Sequence, residues 1–215
     1  MTVIVVAAFG ISAICTATFH IRAEYRGPRW QVYLFKPLTT LLILAIALLI
    51  PPSASTAYRL WIALGLLFSL AGDIFLMLPA DRFVPGLVSF LIAHLCYIAA
   101  FTTGVGFQWP LVGLAPLLLL AIPVLARIWP RLGKLRTPVL CYMGVILVMG
   151  WQAFGRWQVL GTLGAWLALC GAWLFVISDS LLALRRFGGT FRTAQALILS
   201  TYYAAQLLIA LSVGL

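Results

Sequence analysis

The sequence predicts an all-α, polytopic membrane protein of eight transmembrane helices, and three observations carry that expectation. Hydrophobic residues make up 64% of the 215-residue chain and charged residues 8%, far from the roughly 45–50% apolar content of a soluble domain. The mean hydropathy is +1.13. Charges, Pro and Gly divide the chain into runs close to the about 20 residues that cross a hydrocarbon core about 30 Å thick.

Taken in order, the first run covers 2–21. It lacks the basic n-region of a signal peptide and is followed at once by Arg22, Arg26 and Arg29, a stop-transfer flank, so it is read as a helix. Span 2 covers 32–51 and contains Lys36-Pro37; span 3 covers 58–78 and stops before Asp81 and Arg82. Span 4 covers 86–103 and ends at Gly104; span 5 covers 109–126 and ends at Arg127. Span 6 covers 138–155, between Pro138 and Arg156; span 7 covers 158–183, before Arg185 and Arg186; span 8 covers 193–214, after Arg192. The connections are short, which leaves one transmembrane domain over 1–215 and no room for a soluble one. Gly188 and Gly189 mark a turn with no phosphate-loop context.

A net charge of +10 could suggest a nucleic-acid surface, but its distribution is topological. Of 14 Lys and Arg, all but Arg59 and Arg156 fall at loops 1–2, 3–4, 5–6 and 7–8 or their flanks. The positive-inside rule then puts those loops in the cytoplasm and both termini on the non-cytoplasmic side, with anionic lipid a plausible further partner. Nucleic acid is not an expected partner. Cys15, Cys96, Cys141 and Cys170 sit within spans without a CxxC pair and read as small buried hydrophobes. Trp30, Trp109, Trp129, Trp151 and Trp157 read mostly as interfacial belt residues.

Against this apolar background the chain has four acidic residues, and two stand inside spans: Asp73 in "FSLAGDIFLM" and Asp179 in "WLFVISDSLL". An ionised Asp at a helix centre costs about 2.5–3.5 kcal/mol, so each requires a reason. Both lie five residues before the cytoplasmic end of their span, roughly 7–8 Å deep at 1.5 Å per residue. Lys36 on span 2, His94 and Tyr97 on span 4, Tyr142 on span 6, and Tyr202 and Gln206 on span 8 approach the same level. Tyr202 and Gln206 share a helix face, as do Phe90 and His94. Lys36, the one cation read inside a span, neutralises one carboxylate; the other is then protonated or shares a proton. Such a pair supplies one acid and one base. The residues show no HxxH, HExxH or ExxH spacing, so no metal and no cofactor is expected.

A weak repeat accompanies this pattern. "KP" at 36–37, "GD" at 72–73 and "RF" at 82–83 have counterparts in "TP" at 137–138, "SD" at 178–179 and "RF" at 186–187, as a parallel duplication of four spans would give.

At these residues the chain resembles the lysoplasmalogenase, or YhhN-like, family of membrane proteins. The likeness runs through Lys36-Pro37, Gly72-Asp73, Phe83, Gly86, Phe90, His94, Tyr97, Tyr142, Ser178-Asp179, Tyr202 and Ala205-Gln206. It implies an eight-helix integral membrane hydrolase that cleaves the vinyl ether bond of lysoplasmalogens to a fatty aldehyde and a glycerophospho-alcohol. It further implies Asp73 and Asp179 as the catalytic pair, with Lys36, His94, Tyr97, Tyr142, Ser178, Tyr202 and Gln206 supporting substrate or water. The expected partner is a lysophospholipid in the cell membrane, a bacterial inner membrane, with the site toward the cytoplasmic half. The rival expectation is a proton- or ion-coupled transporter, since intramembrane acids also mark ion pathways. A non-catalytic lipid-binding protein is a third.

Overall fold

The computed structural model describes residues 2–53, 55–189 and 191–215. Among them are eight helices long and apolar enough to cross a membrane: α1 (Thr2–Arg26), α2 (Arg29–Leu49), α3 (Thr56–Met77), α4 (Phe83–Thr102), α5 (Leu111–Ile128), α6 (Arg136–Leu160), α7 (Leu163–Ala183) and α8 (Ala194–Leu211). A π turn, Leu184–Gly188, prolongs α7. The eight-span reading holds, with ends displaced by a few residues. Side chains define several ends: Ser55 accepts from the Tyr58 amide at 3.0 Å to start α3, and Thr162 accepts from the Ala165 amide at 3.2 Å to start α7.

Six helices close a ring in the order α2, α3, α4, α6, α7, α8, while α1 packs outside against α2 and α8 and α5 outside against α6. Inside the ring lie Tyr97, Phe101, Phe175, Met149 and Ile209, all fully buried. The peripheral α5 keeps Leu111, Val112, Leu119 and Ile122 more than half exposed, the expected state of a lipid-facing surface.

Helix pairs approach most closely where side chains are smallest. A Cβ on Gly171 of α7 would lie 2.8 Å from the Ala205 carbonyl oxygen and 3.1 Å from the Ile209 nitrogen, both backbone atoms of α8. Only a residue without Cβ permits that approach. Gly171→Ala is therefore expected to cost about 1–3 kcal/mol, read as a lower unfolding midpoint in detergent. Gly144→Ala, with nothing within 4 Å of the added carbon, is the control and should stabilise slightly, because helical Gly carries excess backbone entropy.

Three sequence readings are corrected. Arg156 does not lie in a loop: α6 runs on to Leu160 and ends at Gly161, whose φ of 62° is left-handed. Arg156 is buried, donates to the Thr103 carbonyl at 2.7 Å and stands 4.4 Å from the Tyr58 ring centroid. Arg156 thereby satisfies a carbonyl at the C-terminal end of α4, so a charge that looked like a helix break is a packing residue. Lys36 is thus not alone among cations within helices, although Arg156 sits at the opposite end of the bundle. Cys15 and Cys141 are exposed on outer helix faces, and Cys96 alone of the four cysteines is buried. Trp151 is also buried, its indole donating to the Pro110 carbonyl at 2.9 Å, whereas Trp30 and Trp109 are exposed.

Candidate active site

Asp73 and Asp179 each stand four residues before the last residue of their helices, Met77 and Ala183. α3 and α7 run in the same direction with respect to the basic end of the bundle, so both carboxyls come to that end and line one cavity there, Asp73 about 6 Å inside the end of α3. Both helices continue unbroken through the acid.

Asp73 is 1% exposed and held by three donors from two neighbouring helices. Lys36 Nζ lies 3.4 Å from Oδ1, and the Thr40 and Tyr202 hydroxyls each donate to Oδ2 at 2.7 Å. Lys36 and Thr40 are one turn apart on α2 and present one face to α3. Gln206, one turn beyond Tyr202, donates Nε2 to the Tyr202 hydroxyl at 3.3 Å and accepts the Tyr97 hydroxyl on Oε1 at 2.7 Å. A continuous polar chain from Lys36 to Tyr97 therefore crosses the ring. Removing one member of a buried pair of this kind leaves an uncompensated charge.

Asp179 is held differently. One donor reaches it, the Tyr142 hydroxyl on Oδ2, and part of its surface stays open. Asp73 and Asp179 line one cavity of about 410 Å³, together with Glu24, Lys36, Arg185, Arg186, Gln195 and Tyr202. Asp179 also lines a second, narrow slot of about 60 Å³ between α4, α5, α6 and α7, whose walls include Leu87, Val124, Ile146 and Val176. The acid thus sits where a polar chamber meets an apolar one.

The other predicted site residues divide. Lys36, Tyr202 and Gln206 join Asp73 directly or through one another, and Tyr142 joins Asp179. Tyr97 reaches the carboxylate through Gln206. Ser178, at the cavity wall, spends its hydroxyl on the Ile198 carbonyl at 3.0 Å and so ties α7 to α8. His94 bonds neither acid: its ring is fully buried, edge-on to Phe175 at 4.7 Å and Tyr142 at 5.3 Å, with no hydrogen-bond partner on either nitrogen. Tyr203, next to Tyr202, is buried too and pairs with His20 Nδ1 at 2.8 Å.

Sequence reasoning missed Thr40, Glu24 and Arg185. Thr40 could have been found one turn after Lys36, and Glu24 as the fourth acid of the chain. All four acids gather at this end, for Asp81 pairs at 2.6 Å with Arg186, which lines the cavity. Arg186 also lies over the Phe83 ring, which packs edge-on against Phe187. Hydrogen bonding from the Arg186 guanidinium holds the Asp81 carboxyl below the usual aspartate range. The bridge is therefore complete at neutral pH and is lost only as acid carries the pH down through that lowered value.

The profile of the YhhN family matches residues 31–213. A protein of Escherichia coli O157:H7 named "Uncharacterized membrane protein YhhN" is 36% identical over 208 residues, covering 94% of this chain and 97% of its own. Human "Lysoplasmalogenase TMEM86A" is 36% identical over 200 residues, covering 86% of this chain and 79% of its own, and human "Lysoplasmalogenase TMEM86B" is 35% identical over 185 residues, covering 85% and 75%. No solved structure gives a significant match. With eight membrane-length helices and a profile match across nearly the whole bundle, the chain belongs to the YhhN family of multi-pass membrane proteins.

Proposed function

We propose that this protein is a membrane hydrolase that cleaves the vinyl ether bond of a lysoplasmalogen, with Asp179 as proton donor and Asp73 as the carboxylate that guides water. The observation that carries the reading is the position of Asp179 on both chambers while Asp73 lines only the polar one. A lysolipid has the same division. Its alkenyl chain suits the apolar slot and the bilayer beyond it, its zwitterionic headgroup suits the polar chamber with its acidic and basic side chains, and the ether lies between. Relatives named lysoplasmalogenase at 35–37% identity support the same substrate class.

The chemistry needs one acid and one base. Asp179 gives its proton to the β-carbon of the vinyl ether, and the α-carbon becomes an oxocarbenium ion. Water adds to that carbon and yields its proton to Asp73; as the hemiacetal C–O bond breaks, Asp73 passes that proton to the departing glyceryl oxygen and Asp179 takes the hemiacetal hydroxyl proton, which gives aldehyde and glycerophospho-alcohol, restores both carboxyls and consumes one water overall. This is the division of labour between two carboxyls in glycoside hydrolysis. Three donors, one of them a cation, converge on the Asp73 carboxyl and fix its position in the chamber wall. Tyr142 occupies Oδ2 of Asp179 and leaves Oδ1 as the oxygen from which a proton can be delivered. His94, buried with two unpartnered nitrogens, is suited to hold a water behind Tyr142. By the distribution of Arg and Lys, the chamber opens toward the cytoplasm.

Purified protein in detergent, given a 1-alkenyl lysophospholipid, is expected to release fatty aldehyde detectable by mass spectrometry. Gradient-dependent uptake into proteoliposomes without aldehyde release would instead establish the transporter reading.

A further inference from the structure

The chamber has a charge pattern that the proposed chemistry does not use. Counting permanently charged groups at the chamber and its mouth, Lys36 is paired with Asp73 and Arg186 with Asp81. With Asp179 taken as the protonated acid, two charges are left over: Arg185, whose guanidinium bonds the neutral amide of Gln195, and Glu24. Among the described residues no ion pair joins these two to each other. Glu24 reaches the wall from α1, outside the ring, with its side chain 24% exposed. Its position is fixed from both sides. His20, one turn earlier and locked to Tyr203, lies 3.4 Å from it. The Tyr25 hydroxyl accepts from the Ala196 amide at 3.0 Å and donates to the Arg192 carbonyl at 3.1 Å, clamping the end of α1 to the start of α8.

A carboxylate brought from a peripheral helix to the chamber wall opposes the binding of any simple phosphate anion. With a guanidinium on the same wall that no carboxylate pairs among the described residues, it instead forms a two-ended receptor. We infer that Glu24 is a specificity-determining residue that binds the cationic end of a zwitterionic headgroup, a primary ammonium joined by a phosphodiester, while Arg185 takes the phosphate. A quaternary ammonium is the poorer fit, because such groups are recognised on open aromatic faces. The aromatic rings of this wall are already packed edge-on, Phe90 with Tyr202 and Phe83 with Phe187. The inference rests on the lysolipid reading of the chamber and names the headgroup that reading leaves open.

The experiment uses the full chain in detergent and three 1-alkenyl lysolipids of one chain length, headed by phosphoethanolamine, phosphocholine or a bare phosphate. Wild type should prefer phosphoethanolamine to bare phosphate by at least about tenfold in kcat/KM. In Glu24→Gln that ratio should fall toward unity, through loss on the zwitterion and gain on the phosphate. Glu24→Asp should restore much of it, and Arg185→Gln should weaken all three substrates. A ratio unchanged in Glu24→Gln overturns the inference. Should Glu24→Gln fail to fold, Gln195→Lys, which sets a cation against Glu24 on the same wall, should lower the ratio, and no fall is equally fatal. If no alkenyl lipid is cleaved, the hydrolase reading fails by itself. Native mass spectrometry with ester-linked lysophosphatidylethanolamine and lysophosphatidic acid then decides the headgroup question: preferential retention of the former, lost in Glu24→Gln, supports it, and equal retention overturns it.

Discussion

Replacing Asp179 by asparagine is expected to lower aldehyde release by about 10²- to 10⁴-fold, the range in which a positioned acid or base contributes, and to leave the bundle folded. The substitution is nearly isosteric. Asparagine can still accept the Tyr142 hydroxyl on its amide oxygen, so the contact between α6 and α7 survives while the transferable proton is gone. Because Asp179 has no cationic partner among the described residues, the change leaves no buried charge behind. Single-turnover aldehyde release beside an unfolding midpoint measures both halves of the expectation. Turnover within threefold of wild type in a folded Asp179→Asn protein would falsify its role as acid.

The second large effect is on stability and comes from Lys36. Lys36→Met leaves the Asp73 carboxylate buried with two hydroxyl donors and no cation, and breaking a buried pair in this way costs about 3–5 kcal/mol. Asp73→Asn leaves the opposite charge stranded, so it too should destabilise, which makes it a poorer probe of catalysis than Asp179→Asn. The double variant Lys36→Met with Asp73→Asn should recover most of the loss, because replacing both members of a buried pair is often close to neutral. Denaturation in detergent of the two single variants and the double variant gives the coupling directly. Additive losses would mean that the 3.4 Å pair is incidental to stability.

The two expectations differ because the two aspartates, matched in sequence context and lining one cavity, have different surroundings. Asp73 is fastened by α2 and α8. Asp179 has one tyrosine and two chambers. Their place near the ends of their helices was readable from helix length alone, since an Asp a given number of residues from a helix end has a fixed distance from it whichever neighbours it acquires.

Other residues were legible only in part. Lys36 and Tyr202 were placed at the right level, and the structure adds that both hold the same carboxylate. Tyr142 was read beside the acids, but nothing in one sequence says that it bonds Asp179 rather than Asp73. Ser178 stands next to the acid in the chain and yet turns its hydroxyl to the Ile198 carbonyl, because adjacent helical residues point about 100° apart. Arg156 misled because a charge in an apolar run usually ends it; three groups from α3 and α4 converge on that guanidinium and make burial tolerable.

By itself, then, the sequence determined the number of helices and how far along its helix each polar group stands. Those properties depend on chain-local quantities: apolar run length and rise per residue. Which helices close the ring, which donor meets which carboxylate, and that Glu24 from a peripheral helix arrives beside Arg185 were decided by tertiary structure alone. Lateral contacts join residues separated by as many as 183 positions, as His20 and Tyr203 are. Hydropathy, which measures only preference for lipid over water, has no component in that direction.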